Sequence, residues 1–247
     1  MFEDILSGIR EGNGLTKIFL DYDGTLVNLT SQPELAIPSN KLIDLLGDLK
    51  RKIPLYLVTG RDLNGIISLV GKGFNIIAMH GSEFMSEEGL KWSIDGFEEY
   101  QKRTNELYRK YAYLETKFKG LRIIDKRGGL QFHYYNVDSR YATELGRIIS
   151  EINEEGFELY SGKFVYELRV KGVDKGKAML KYIDRNDFIM FAGDDRTDED
   201  AFGNLSDQIT IKVGEGITVA KYRVNSPYEM KRLLAALLAN RERVFRK

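Results

Sequence analysis

The chain has 247 residues, 43% of them hydrophobic, enough to bury one large core or two compact domains. Its 37 basic and 37 acidic residues cancel, so no overall charge draws it to nucleic acid or to an anionic membrane, and a small, specifically contacted ligand is the expected partner. Cysteine is absent, which excludes disulfides, thiolate nucleophiles and thiolate metal sites and leaves oxygen donors for any hard cation. No apolar run approaches the roughly 18 residues of a membrane span. The opening residues, with Glu3 and Asp4, lack the pattern of a secretory signal, so the expected location is cytoplasmic.

From Leu15 onward, short apolar strands alternate with helical stretches. "KIFLDY" reads as a strand, Pro38 to Lys52 as a helix, "IPLYLVTG" as a strand, "RDLNGIISLV" as a helix and "FNIIAMHG" as a strand. Nearly continuous apolar strands separated by helices predict a parallel sheet covered on both faces, an α/β doubly wound, Rossmann-like core. Between Ser82 and Val170 the texture changes to a hairpin "EFMSEEGLKW", a charged helix from about Asp95 to Lys119, and the apolar-polar run "LRIIDKRGGLQFHYYNV". A helix at about Ser139 to Glu154 and a hairpin "FELYSGKFVYELRV" complete an α+β segment. After Val170 the first texture returns with a helix over Lys175 to Tyr182, the strand "DFIMFAGDD", the helix start "DEDAF", the strands "ITIKV" and "AKYRV", and a last helix over Pro227 to Asn240. The predicted organisation is a catalytic core of residues 1–83 and 171–247, interrupted by an inserted cap domain of residues 84–170.

In such sheets ligands collect at the carboxyl ends of the strands. Asp21 ends the first strand, Thr59 the second and His80 the third. Alone, "DYDGT" is an ordinary Asp-Gly turn, but a second acidic strand end, "FAGDDRTDED", supplies Asp194, Asp195 and Asp198. Like charges in one site raise each other's pKa unless a cation neutralises them, so converging Asp21, Asp23 and Asp194 would form an oxygen site suited to Mg²⁺. The spacing also separates two roles. Asp21 can attack phosphorus as a nucleophile, while Asp23 can protonate the leaving alkoxide and then deprotonate the attacking water. Gly24 permits the tight turn and Thr25 is expected to brace it. Thr59 with the Gly60 amide, and Lys175 opening a helix, offer donors for a phosphate. Taken singly, Thr59 is also an ordinary cap, Lys175 a solvated lysine and Arg61 a helix-start residue.

As an ordered set, "DYDGTL", "TGR", "VDKGKA" and "GDDRTDEDAF" resemble the four motifs of the haloacid dehalogenase superfamily. "MHGSEF", the insertion after the third strand and "GKFVYELRVKGVDKGKA" are more narrowly similar to trehalose-6-phosphate phosphatases. The resemblance implies Mg²⁺-dependent hydrolysis of trehalose 6-phosphate through an aspartyl-phosphate. Asp21, Asp23, Thr59 and Lys175 would be catalytic. Asp21, Asp23 (through its carbonyl) and Asp194 would hold the metal, with Thr25, Asp195 and Asp198 orienting them. Gly60, Arg61, His80, Lys163 and Glu167 would contact substrate, although Lys163 and Glu167 equally fit an exposed cross-strand pair. Where many relatives have proline, this chain has Val170, and the hairpin carrying Lys126 and His133 matches loosely. Related substrates therefore stay open at this level: mannosyl-3-phosphoglycerate, sucrose phosphate or glucosylglycerol phosphate, or a sugar-phosphate-sensing module without catalysis. A trehalose-6-phosphate synthase is an implied partner.

Overall fold

The computed structural model describes residues 2–30, 32–162 and 164–246. In chain order the elements are α1 (Phe2–Glu11), β1 (Lys17–Asp21), α2 (Asn40–Lys50), β2 (Leu55–Val58), α3 (Leu63–Val70), β3 (Asn75–Ala78), β4 (Glu83–Met85) and β5 (Lys91–Ser93). There follow α4 (Phe97–Tyr111), α5 (Tyr113–Lys117), β6 (Arg122–Asp125), β7 (Leu130–His133), α6 (Ser139–Ser150), β8 (Phe157–Gly162) and β9 (Val165–Val170). The last are α7 (Lys175–Leu180), β10 (Ile189–Gly193), α8 (Arg196–Asn204), β11 (Ile209–Val213), β12 (Tyr222–Val224), α9 (Pro227–Ala239) and α10 (Arg241–Val244). The chain divides into two units, Met1–Trp92 with Asp174–Lys247, and Ser93–Val173.

The first unit is built on a sheet of order β12-β11-β10-β1-β2-β3-β4-β5, parallel from β12 to β3 and antiparallel at β3/β4. Because successive strand residues face opposite ways, Ile18 and Leu20 join one apolar core, which takes in α1, α2, α3 and α9. Phe19 joins the other, with Ala178 and Met179 of α7 and Ala201 and Phe202 of α8. Asp21 has the parity of Phe19, so it points to the side covered by α7 and α8. The hairpin read as opening the inserted domain instead extends this sheet, since Phe84 and Met85 are buried in the first unit's two cores, and the second unit begins at Ser93.

The second unit is an antiparallel sheet of order β6-β7-β9-β8. Ile123, Leu130, Phe132 and Leu168 pack with Leu107, Leu145 and Ile149 of its helices. The expected long helix breaks after Tyr111 into α4 and α5. The segment before Leu15, left unassigned from sequence, is α1, whose Ile5, Leu6 and Ile9 recur at helical spacing and are buried. Gly71 is the C-cap of α3 at φ 79°. Among the described residues no helix is long and apolar enough to cross a membrane.

Candidate active site

Two chain segments deliver acids to the carboxyl end of the first sheet. Asp21 is the last residue of β1 and is buried. Asp194 and Asp195 follow β10, and Asp195 caps α8 by accepting from the Thr197 and Asp198 amides. Asp198 answers as the other half of the capping box, its Oδ2 accepting from the amides of Asp194 at 2.9 Å and Asp195 at 3.1 Å. The cap therefore folds the acidic loop back on itself. Carboxylate oxygens of Asp21, Asp194 and Asp198 lie within 4.8 Å of one another.

Lys175, the first residue of α7, enters this cluster fully buried. Its Nζ donates to Asp21 Oδ1 at 2.7 Å and to Asp198 Oδ1 at 2.8 Å. Burial alone would lower the ammonium pKa, but the Asp198 and Asp21 carboxylates more than offset it and hold the group well above its usual value. One cation does not neutralise three acids. Burial, then the neighbouring carboxylates, pushes Asp194 up to about 10. Burial likewise raises Asp198 to about 8 and Asp21 to about 6, against the lowering effect of Lys175. Asp21 Oδ2 is buried with no hydrogen-bond partner. Converging hard oxygens, a shortage of positive charge and an orphaned carboxylate oxygen together fit a hard cation.

The surrounding turn is shaped to this cluster. Gly24 has φ 79°, and a β-carbon there would overlap the Asp194 carboxylate. The turn is closed by the Gly24 amide donating to the Val27 carbonyl and the Leu26 amide to that of Tyr22. The Thr25 hydroxyl expected to brace it is buried without a hydrogen-bond partner. Asp23 is turned outward into a two-point ion pair, accepting from Arg61 Nε at 2.7 Å and Nη2 at 2.6 Å, while the guanidinium also lies over the Tyr22 ring. The carboxylate cluster therefore contains Asp198 rather than the Asp23 side chain.

Thr59 follows β2, buried, with its hydroxyl accepting from the Arg61 amide at 3.1 Å. His80 sits in a turn after β3 with φ 56°, and its amide donates to the Thr59 carbonyl. A β-carbon at Gly60 would lie 2.6 Å from the His80 ring, so the glycine lets the imidazole lie against the threonine loop. Lys212, which sequence reasoning passed over as part of the strand "ITIKV", is buried and donates from Nζ to the Asp194 carbonyl. A lone lysine in a buried strand was the available signal.

In the second unit, Leu168 of β9 faces the apolar core, so Glu167 and Arg169 lie on the other face of that sheet. Glu167 stands opposite Gln131 and Tyr160 and pairs with Lys126 Nζ at 3.2 Å. His133 Nε2 is 3.0 Å from Gln131 Oε1, and Arg169 stacks on Tyr160. Gln131, Tyr160 and Arg169 were missed from sequence, although the alternation in "LQFH" already placed Gln131 beside His133. Lys163 lies outside the described residues.

A family model described as trehalose-phosphatase matches residues 19–232. The chain belongs to the trehalose-phosphatase family. This places it in the haloacid dehalogenase superfamily and makes it a phosphatase. A trehalose-6-phosphate phosphatase-related protein of Thermoplasma acidophilum is 36% identical over 218 residues, covering 88% of this chain and 94% of its own length. A crystal structure of a trehalose-6-phosphate phosphatase related protein superposes with a TM-score of 0.85 at 35% identity, covering 92% of this chain and 98% of that one. A bifunctional trehalose-6-phosphate synthase/phosphatase of Thermoproteus tenax is 30% identical over 236 residues, covering 89% of this chain but only 31% of the relative. In this trehalose-phosphatase family member, the four motif segments of the first unit are the ones that converge.

Proposed function

We propose that the chain hydrolyses trehalose 6-phosphate to trehalose and inorganic phosphate through a phosphoryl group carried on Asp21. The observation that carries the reading is the Asp21 carboxylate: one oxygen is held by Lys175, and the other is buried without a partner beside Asp194 and Asp198. That second oxygen is the nucleophile. Lys175 keeps the carboxylate ionised and oriented, and Thr59 with the Gly60 amide supplies donors to the phosphate oxygens.

Asp23 donates its proton to the departing sugar oxygen and takes one from the water that cleaves the aspartyl-phosphate. Arg61 holds both Asp23 oxygens in a two-point pair, and that pair opens for either transfer. Asp21 and Asp194, with the Asp23 carbonyl, would hold Mg²⁺, with Asp198 and Asp195 orienting the loop. When bound, the ion offsets the charge on the carboxylates and on the transferring phosphoryl oxygens.

The second unit has the role of the cap, in which Glu167, paired with Lys126, reads sugar hydroxyls. A trehalose-6-phosphate synthase is the partner class that supplies the substrate, in keeping with the two activities named together in the Thermoproteus tenax relative. The test is phosphate release from trehalose 6-phosphate, sucrose 6-phosphate, mannosyl-3-phosphoglycerate and glucose 6-phosphate, with Mg²⁺ and then with EDTA. Trehalose 6-phosphate should be preferred and EDTA should abolish the activity; preference for another member would remove the substrate assignment.

A further inference from the structure

The strand ends opposite the catalytic cluster carry a second concavity. A cavity of about 200 Å³ opens among Tyr56, Trp92 and Tyr182, with Asn75 and Ser86 at its polar side. Tyr56 lies near the start of β2 and Asn75 begins β3, whereas the catalytic candidates Thr59 and His80 follow the far ends of those strands. Tyr182 lies just past the end of α7, the helix whose first residue is Lys175.

The aromatic walls are fixed in advance. Tyr56 stacks on Phe19 at 4.6 Å and 15°, and Trp92 stacks on Phe84 at 5.7 Å and 9°. Tyr182 is tilted against both, 5.3 Å from Tyr56 and 6.5 Å from Trp92. Rings held this way need little reordering to receive a ligand.

The lining side chains are uncharged, while around them Glu88 bonds the Ser86 side chain, Lys181 lies over the Phe84 ring, and two further lysines are paired. Lys17 binds Asp187 at 2.5 Å and Asp184 at 3.1 Å, and Lys50 faces Glu87 at 4.0 Å. Asn75 uses one lone pair to accept from the Glu87 amide and one N–H toward the Leu55 carbonyl, which leaves one donor and one acceptor over. Aromatic faces beside an amide and hydroxyls suit a molecule with an apolar C–H face and a hydroxyl edge.

We infer that this cavity is a second carbohydrate site that takes a neutral pyranose ring, separate from the phosphatase centre. The ring lies against Tyr56 and Trp92 while its hydroxyls bond Asn75. The ring could come from a free monosaccharide or from a disaccharide such as the proposed product, and the test separates these sources.

Trp92 is the chain's single tryptophan, so its fluorescence reports the cavity directly. The full chain is titrated with glucose, with trehalose and with sorbitol, an open-chain polyol that has no ring to stack. The expected result is a saturable emission change with glucose or trehalose and none with sorbitol. A response to both sugars assigns a single-ring site, and a response to trehalose alone assigns a two-ring site. Asn75→Ala should weaken binding about tenfold, equivalent to about 1.4 kcal/mol, with phosphatase kinetics unchanged. Calorimetry on Trp92→Ala, an exposed position, should show no sugar binding. The inference is overturned by no saturable change, by an equal response to sorbitol, by undiminished binding in both variants, or by an emission change that follows protein concentration without sugar.

Discussion

The carboxyl end of the first sheet and the Glu167 face of the second unit's sheet are both polar, but they are polar in opposite ways. The first gathers buried like charges that one lysine cannot balance: Asp21, Asp194 and Asp198 around Lys175. The second distributes opposite charges and amides in pairs, Glu167 with Lys126 and His133 with Gln131. A frustrated cluster has energy to release when a cation and a phosphate arrive, which suits bond-making chemistry. Pairs of this kind change little on binding and suit recognition of a neutral sugar, with the buried Arg169 Nε beside them left without a hydrogen-bond partner. Mutations should therefore separate turnover from substrate affinity along this line.

The largest effect belongs to Asp21→Asn, which keeps shape and removes the nucleophile. Turnover should fall by about 10⁴-fold or more, measured by phosphate release. Lys175→Met comes next. It should cost about 10²- to 10³-fold in kcat and leave the carboxylates still less compensated, so the melting temperature without Mg²⁺ should shift as well. An undiminished kcat would dissolve the distinction between the two regions.

The charge cluster also makes a prediction about pH. The folded-state pKa values of Asp21, Asp198 and Asp194, about 6, 8 and 10, exceed the ordinary 3.8. Between that value and the raised ones the folded chain holds more protons than the unfolded chain, so the stability of the Mg²⁺-free protein should fall as pH rises through this window. Added Mg²⁺ should flatten the fall, as read by thermal melts from pH 5 to pH 9. A Mg²⁺-free protein that grows more stable across the range would contradict the cluster's electrostatics. The smallest effect is expected in the second region. Glu167→Gln should raise KM for trehalose 6-phosphate about tenfold, the equivalent of about 1.4 kcal/mol, while hydrolysis of a small aryl phosphate stays unchanged.

Sequence legibility follows the same division. The core motifs could be read because Asp21 and Thr59 sit at strand ends, where strand parity and a short loop dictate direction, and Lys175 opens a helix. Asp198 could be read as a neighbour of the site, but its membership in the carboxylate cluster depends on the capping box that folds it back, a tertiary consequence of a local motif. Asp23 was placed in the correct turn, yet its pairing with Arg61 joins residues 38 apart in sequence. On the second unit's sheet, register decides what meets Glu167. That register brings Lys126 from 41 residues away and Gln131 from the neighbouring strand, and neither pairing is written in local spacing. The core/insert boundary was blurred for a similar reason: "EFM" is apolar enough for either sheet, and only its pairing with β3 decides.

The most direct test of the account is to locate the phosphoryl group. Mixing the enzyme with trehalose 6-phosphate and Mg²⁺, quenching in acid within milliseconds and mapping peptides by mass spectrometry should find phosphate on the peptide that carries Asp21, and none in Asp21→Asn. A burst of free phosphate with no phosphorylated Asp21 peptide, or phosphate on another residue, would contradict the assignment of Asp21 as nucleophile.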